Sequence, residues 1–150
     1  MEFFIDSADI EAIRELCSFQ PIDGVTTNPT IITKSGKEPD QVFAELCEVL
    51  TEDQKIIAQV VSLDYEGILA EAERIAQIRG GKNIVVKIPV TREGLRAIPA
   101  VKAKGICVLA TGIYSPDQAF WGPRPAQTIW RPTSTACATT ATAWARLSNS

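Results

Sequence analysis

The sequence predicts an α/β protein with a parallel sheet, and two observations carry that prediction. Short apolar runs alternate five times with segments whose apolar positions recur at helical spacing. One of those runs, Ile84-Val-Val-Lys-Ile88, is β-branched without polar alternation, as in a parallel strand covered on both faces.

The elements follow in order. Phe3-Phe4-Ile5 reads as a short strand ending at Asp6, and Ser7 or Asp9 can cap a helix with Ile10, Ile13, Leu16 and Cys17 on one face. Gly24–Thr27 reads as the second strand, closed by Asn28-Pro29; a loop through Ser35-Gly36 then leads to a helix carrying Val42, Leu46, Val49 and Leu50. Lys55–Val61 is the third strand and holds Gln59. The helix after it, from about Asp64 to Arg79, buries Ile68, Ala72, Ile75 and Ile78 and is ended by Gly80-Gly81. The fourth strand lies within Asn83–Thr91. Thr91 caps a helix striped by Leu95, Ile98 and Val101 and closed by Gly105, and Ile106–Thr111 is the fifth strand. Pro99 falls inside that helix, where its missing N–H and ring clash cost about 3 kcal/mol or force a kink.

Composition narrows the function. The chain is 150 residues long and 45% hydrophobic, enough for one domain with a core, and its 15 basic and 18 acidic residues leave a net charge of −3. No nucleic-acid partner and no membrane-surface partner is expected from such a balance. No apolar run approaches spanning length, and Met1–Ile5 followed by Asp6 is too short and acidic for a signal-peptide core, so a cytoplasmic location is expected. Cys17, Cys47, Cys107 and Cys137 lie far apart with no CxxC pair and read as free thiols. The chain has no histidine, which removes the commonest metal ligand together with the commonest general base. No metal site is expected, and any chemistry falls to Lys, Asp, Glu, Tyr, Gln and water.

Lys87 interrupts the apolar fourth strand. A buried ammonium costs free energy unless it is paired or deprotonated. Two readings therefore compete: an amine of lowered pKa, able to form a Schiff base with a carbonyl, or a strand-end lysine that snorkels to water or meets a carboxylate. Asp6, Asn28, Gln59, Lys87 and Thr111 each lie within or at the C-terminal end of a different predicted strand. Taken singly, Asp6 reads equally as a helix cap, Asn28 as an Asx turn and Thr111 as a strand-end hydroxyl, whereas an amide inside an apolar strand, Gln59, needs specific partners. Taken together they favour the wall of a (β/α)8 barrel, which collects catalytic groups at that end, over an open doubly wound sheet. Gly80-Gly81-Lys82 lacks the upstream glycine of a P-loop, and no GxGxxG follows any strand. The expected fold is thus an incomplete (β/α)8 TIM barrel of about five βα units.

Four segments, Phe3-Phe-Ile-Asp-Ser-Ala-Asp9, Gly24-Val-Thr-Thr-Asn-Pro-Thr-Ile-Ile32, Val85-Val-Lys-Ile-Pro-Val-Thr91 and Ala110-Thr-Gly-Ile-Tyr-Ser115, stand in the order of one family's strand-end signatures. Over residues 1–121 the chain resembles the transaldolase family, in its small-subunit branch, and most closely the fructose-6-phosphate aldolases. The resemblance implies a (β/α)8 barrel, class I aldolase chemistry with Lys87 as the Schiff-base lysine, and matched positions at Asp6, Thr26, Asn28, Gln59 and Thr111. Lys87 would attack the keto carbon of a dihydroxyacetone unit, and the iminium would serve as electron sink for carbon–carbon cleavage or formation. Thr111 and Gln59 would hold the water that relays protons, with Asp6, Thr26 and Asn28 at the substrate hydroxyls. It also implies a sugar or sugar-phosphate substrate, no cofactor and a homo-oligomeric full-length family. Transaldolases of the family carry glutamate where Gln59 stands, so glutamine points to the aldolase branch; Gly112 departs from an expected alanine.

The character changes after Trp121. Gly122-Pro-Arg-Pro125 breaks any helix, and from Gln118 to Ser150 there is no acidic residue and no lysine. Residues 122–150 read as a tail unrelated to the barrel and disordered, or as the product of a shifted reading frame. That leaves five of eight strands, with the first and fifth as open edges and interior side chains facing water. An inactive truncated fragment is therefore the alternative to an active enzyme. A small doubly wound binding module, complete in itself, would need residues 122–150 to cover the sheet, and they lack a periodic apolar face. Joining each codon's third base to the next two permits GADYLAPYVNRL and then GDGVGAAVEL, which resembles what the family carries next. Sequencing the coding DNA tests this: codons able to spell that string when shifted support it, and codons unable to do so exclude it.

Overall fold

The computed structural model describes residues 2–113 and the strand 128–132. The elements are β1 (Phe4–Asp6), α1 (Ile10–Phe19), β2 (Gly24–Thr26), α2 (Pro29–Ser35), α3 (Pro39–Val49), β3 (Lys55–Gln59), α4 (Tyr65–Ala76), β4 (Ile84–Pro89), α5 (Arg92–Ala103), β5 (Val108–Ile113) and β6 (Thr128–Pro132). All six strands pair in parallel, in sequence order, in one sheet.

Alternation along each strand divides the sheet into two faces. Ile5, Val25, Ile56, Ala58, Ile84, Val86, Ile88, Val108 and Ala110 meet the buried stripes of the helices, among them Ile13, Val42, Leu46, Ile68, Ile75, Ile98 and Val101, in one core. The opposite face carries a smaller cluster of Ile57, Val85 and Leu109, with Phe4 and Cys107 packed against it. Helices from every βα unit thus cover the same face. A doubly wound sheet has helices on both faces, whereas a barrel wall keeps them all outside and its second face inside.

Local chemistry sets the helix starts. Asp9, Asn28, Asp64 and Thr91 each accept a hydrogen bond from the backbone N–H three residues on, at 2.9–3.1 Å, a cap that stabilises by about 1 kcal/mol. Asn28-Pro29 was expected to open a loop, yet α2 begins there. Asparagine followed by proline is also the pairing of an N-cap with the first helical position, and Gly36 (φ +69°) closes the helix. Helix α4 ends at Ala76, earlier than expected, and a tight turn, Ile78–Gly81, follows. Within it Arg79 takes φ +53°, and its guanidinium donates to the carbonyls of Thr51 and Gln54, both at 3.0 Å, tying the bottom of β3 to the turn.

Pro99 does not break α5, which runs uninterrupted from Arg92 to Ala103. The ring lies on the exposed side, while Ile98 and Val101 are buried, so the carbonyl deprived of its donor is on the side where water can serve it. The edges also differ from expectation. Strand β5 is paired on both sides, because Thr128–Pro132 forms β6 with Val108↔Thr128 and Ala110↔Trp130 in register. Disorder was expected over those five residues; the β-branched and aromatic side chains of Thr128-Ile-Trp130 suit a strand, a signal overlooked within a Thr/Ala-rich tail. The remainder of 122–150 and the signature residues Tyr114 and Ser115 lie outside the described residues. On the interior side Ile57, Val85 and Leu109 are buried together, while Phe4, Lys55, Gln59 and Cys107 are partly exposed and Asp6 is exposed, so the centre of that face is shielded from water and its ends are not.

Gly94 lets α5 approach β4. A Cβ built there would lie 2.0 Å from the Pro89 carbonyl oxygen, so something in the backbone must move. Gly94→Ala is expected to destabilise the fold by about 1–3 kcal/mol, the usual range for overpacking, in urea denaturation followed by circular dichroism. A loss below about 0.5 kcal/mol, the range of neutral surface changes, would show that this contact does not set the packing of α5.

Candidate active site

The inner face has its polar groups at the C-terminal ends of the strands, in a staggered set of rows. Register pairs Asp6 with Thr26 and Thr26 with Ile57. One step further along, Gln59 pairs with Lys87 and Lys87 with Leu109; a step beyond that, Pro89 pairs with Thr111. Parallel neighbours stand about 4.8 Å apart, so Gln59 is the immediate cross-strand neighbour of Lys87 and Thr111 lies diagonally beyond it. Asp6 and Thr26 are two to three strands away along the wall. Five sequence-predicted residues, Asp6, Thr26, Gln59, Lys87 and Thr111, therefore share one face and one end.

Lys87 is 8% exposed, which ranks it with the core rather than the surface. Its carbonyl accepts from Val60 N–H at 3.0 Å, which continues the ladder past the end of β3. Lys55 shares the inner face at the opposite end, where it meets Glu2 and lies over the Phe4 ring. Thr26 is fully buried, and its hydroxyl donates to Asp6 Oδ1 at 2.6 Å. That bond orients the exposed Asp6 carboxylate and commits the Thr26 proton. Asn28 uses its Oδ1 to cap α2, leaving its amide N–H₂ as the group able to donate elsewhere. Thr111 is buried, with its carbonyl accepting from Val90 N–H at 2.7 Å. Gly112, next to it, has φ +73° where the β5–β6 register is irregular, so the departure from alanine coincides with a backbone that favours glycine.

Sequence reasoning missed one anchoring residue. Glu71 on α4 accepts from Val61 N–H (2.7 Å) and Ser62 N–H (2.8 Å) through the same oxygen, fixing the loop that follows Gln59. A carboxylate ten residues away that folds back onto a loop leaves no local spacing to read.

A cleft of about 720 Å³ lies beside β1 between α1, α2 and α3; Asp6 lines it and Lys87 does not. In it the Lys37 ammonium, 2.5 Å from Glu45, holds that carboxyl below its ordinary value against the opposing effect of burial. A second cleft of about 420 Å³ opens at the N-terminal ends of β4 and β5, where burial pushes the Cys107 thiol up despite the nearby Lys55 charge. A thiol held protonated is a poor nucleophile. Cys17, Cys47 and Cys107 form no disulfide, and Cys137 lies outside the described residues. No cluster of three His, Cys, Asp or Glu among the described residues is placed to hold a metal ion, and no helix among them is long and apolar enough to cross a membrane.

Comparison with known proteins bears on family and fold. The family described as Transaldolase/Fructose-6-phosphate aldolase matches residues 3–121. A "Probable transaldolase" of Clostridioides difficile is 43% identical over 132 residues, 88% of this chain and 59% of the relative. One from Geobacter metallireducens is 43% identical over 88% of this chain and 60% of its own length, and one from Aquifex aeolicus 42% identical over 80% and 54%. The chain thus spans a little over half the length of these curated relatives. In fold it is similar to a crystal structure of a provisionally assigned orotidine-monophosphate decarboxylase from Toxoplasma gondii, with a TM-score of 0.50 and 12% identity over 77% of this chain and 45% of that one. The architecture is α/β, an incomplete (β/α)8 barrel in which the described residues supply four complete βα units and the strands β5 and β6. With the family match covering residues 3–121 and the relatives above 40% identity, the chain belongs to the transaldolase/fructose-6-phosphate aldolase family.

Proposed function

We propose that this chain carries the nucleophilic half of a class I aldolase site, in which Lys87 forms a Schiff base with a dihydroxyacetone unit of a sugar or sugar phosphate. The observation that carries the reading is a lysine 8% exposed on the inner face of a barrel wall. Removing an amine from water disfavours its ammonium form, and the neutral amine is the nucleophile. Attack on the ketone carbon gives a carbinolamine, and loss of water gives the iminium. The iminium accepts the electron pair of the bond between its α and β carbons as that bond breaks; the β-hydroxyl gives its proton to a bound water, an aldehyde leaves and an enamine remains on the lysine. Protonation and hydrolysis of the enamine release the three-carbon product; addition to an aldehyde runs the sequence in reverse.

The other side chains have roles that fit their positions. Gln59, immediately across the ladder from Lys87, and Thr111, diagonally beyond it, suit a bound water that passes protons to and from the intermediate. Asp6, oriented by Thr26, presents a carboxylate to substrate hydroxyls and to the positive charge of the iminium. The free amide hydrogens of Asn28 supply a donor. Schiff-base chemistry of this kind uses the lysine amine itself as electron sink once condensed and needs no organic cofactor.

Transfer of the three-carbon unit to a sugar acceptor is the second reading, favoured by the name "Probable transaldolase" that the relatives carry. Glutamine in place of an acid at the position beside the nucleophile favours the aldolase reading, since an amide cannot itself exchange a proton. An inert fragment is the third reading, because the chain covers only 59%, 60% and 54% of the length of the three relatives.

Incubation with dihydroxyacetone and borohydride, followed by peptide mass mapping, separates these readings. Reduced adduct on Lys87, lost in Lys87→Met, is the expected result; an unmodified, folded chain would establish the inert fragment. Gln59→Glu tests the branch: sugar-to-sugar transfer relative to simple cleavage should rise by about a hundredfold, the lower end for a general acid–base group. An unchanged ratio would remove Gln59 from that role.

A further inference from the structure

Three successive backbone N–H groups at the end of β3 have fixed partners. Val60 donates to the Lys87 carbonyl at 3.0 Å, and Val61 and Ser62 donate to one oxygen of Glu71 at 2.7 and 2.8 Å. The peptide joining Gln59 to Val60 is therefore tied to the backbone of the nucleophile, and the two peptides after it are tied to α4. Strand ends fray where their hydrogen bonds run out. Here the last bond before the loop is the one that sets Gln59 against Lys87.

Glu71 is placed to prevent that fraying. It stands in the middle of α4, half-buried, and helical side chains lean toward the N-terminus, back over the loop. The start of the helix has its own cap, because Asp64 accepts from Gly67 N–H at 2.9 Å. A carboxylate that accepts backbone N–H groups makes charge-assisted bonds, stronger than neutral ones. Gly67 completes the seat: a Cβ there would lie 2.7 Å from Ser62 Cβ and 2.8 Å from Ser62 Oγ. The loop thus rests on a turn where only glycine leaves room for it.

We infer that Glu71 is a positioning residue for proton transfer at the Schiff base: by holding Val61 and Ser62 it keeps the Val60–Lys87 bond closed, and so keeps the Gln59 amide in place for the water that relays protons. This rests on the Schiff-base reading of Lys87 and adds a residue from outside the strand-end set. The step it serves is enamine formation. An α-hydrogen of the iminium passes as a proton to the bound water, its electron pair forms the carbon–carbon double bond, and the iminium π pair moves onto nitrogen. In heavy water the return step places deuterium on that carbon.

Deuterium exchange into dihydroxyacetone, followed by proton NMR with the full chain, reads this step, and borohydride-trapped adduct on Lys87 reads the amine separately. Glu71→Ala should lower kcat for exchange by about tenfold, inside the hundredfold or so that a misplacement of about 1 Å can cost. KM and trapped adduct should stay within about twofold of the parent. Glu71→Gln keeps a carbonyl oxygen able to accept both N–H groups and should restore the rate to within about threefold. Adding Glu71→Ala to Gln59→Ala should change little, within about twofold, because the group it positions is gone. Should Glu71→Ala fail to fold, Gly67→Ala decides, since alanine is the better helix former but displaces Ser62: slower exchange with unchanged adduct supports the role, and unchanged exchange contradicts it. Exchange unmoved by Glu71→Ala, or a loss as large in the Gln59→Ala background as alone, would overturn the assignment, as would a wild type that forms adduct without measurable exchange. A wild type that yields no adduct defeats the Schiff-base reading itself, whereas adduct with exchange indifferent to Glu71 defeats only the positioning role.

Discussion

Everything in this structure depends on the parallel ladder between β3 and β4. Its register makes Ile57 the neighbour of Val85 and Gln59 the neighbour of Lys87. Because the side-chain period is two, that single pairing decides which face each residue serves. A slip of one residue would send Lys87 into the helix-packed core and bring Val86 or Ile88 to the inner face. The helix-side core prevents the slip. Ile56, Ala58, Val86 and Ile88 are all fully buried against α4 and α5 or their neighbours, and none could exchange places with a lysine without a large desolvation penalty.

Rigidity at the site is supplied from several directions. The Val60 bond to Lys87 extends the ladder, Glu71 secures the loop just beyond, and Gly94 allows α5 to sit close behind Pro89. The Thr26–Asp6 bond adds the orientation of a carboxylate on the far side of the wall. At the other end of the strands, Arg79 and the Lys55–Glu2 pair close the bottom. Polar chemistry at one end and structural ties at the other is the division of labour expected of a barrel wall.

Much of this was legible in the sequence. The uninterrupted β-branched run around Lys87 identified a strand buried on both faces, and the strand-end placement of Asp6, Gln59, Lys87 and Thr111 identified the common face, because alternation is a local property. What was not legible depends on contacts between distant residues. The Thr26–Asp6 bond spans 20 residues, and the Glu71 tie requires α4 to be docked. Helix α2 was missed because asparagine and proline serve turns and helix starts equally, and only the following backbone decides between them. Pro99 looked disruptive because its orientation toward solvent becomes visible only once α5 has a buried side. Strand β6 was missed because its short β-branched and aromatic run, Thr128-Ile-Trp130, stands within a Thr/Ala-rich tail, and its place in the sheet is fixed by pairing with β5.

The central claim is that the Lys87 amine bonds covalently to a ketone carbon. Carbon-13 NMR addresses this directly, with lysine nitrogen labelled as nitrogen-15, dihydroxyacetone labelled at its central carbon, and borohydride to fix the adduct. The account predicts a reduced amine carbon showing one-bond coupling to nitrogen-15, absent when Lys87→Arg is used. A carbon signal remaining wholly that of unbound substrate, or a coupled signal that persists in Lys87→Arg, would contradict it.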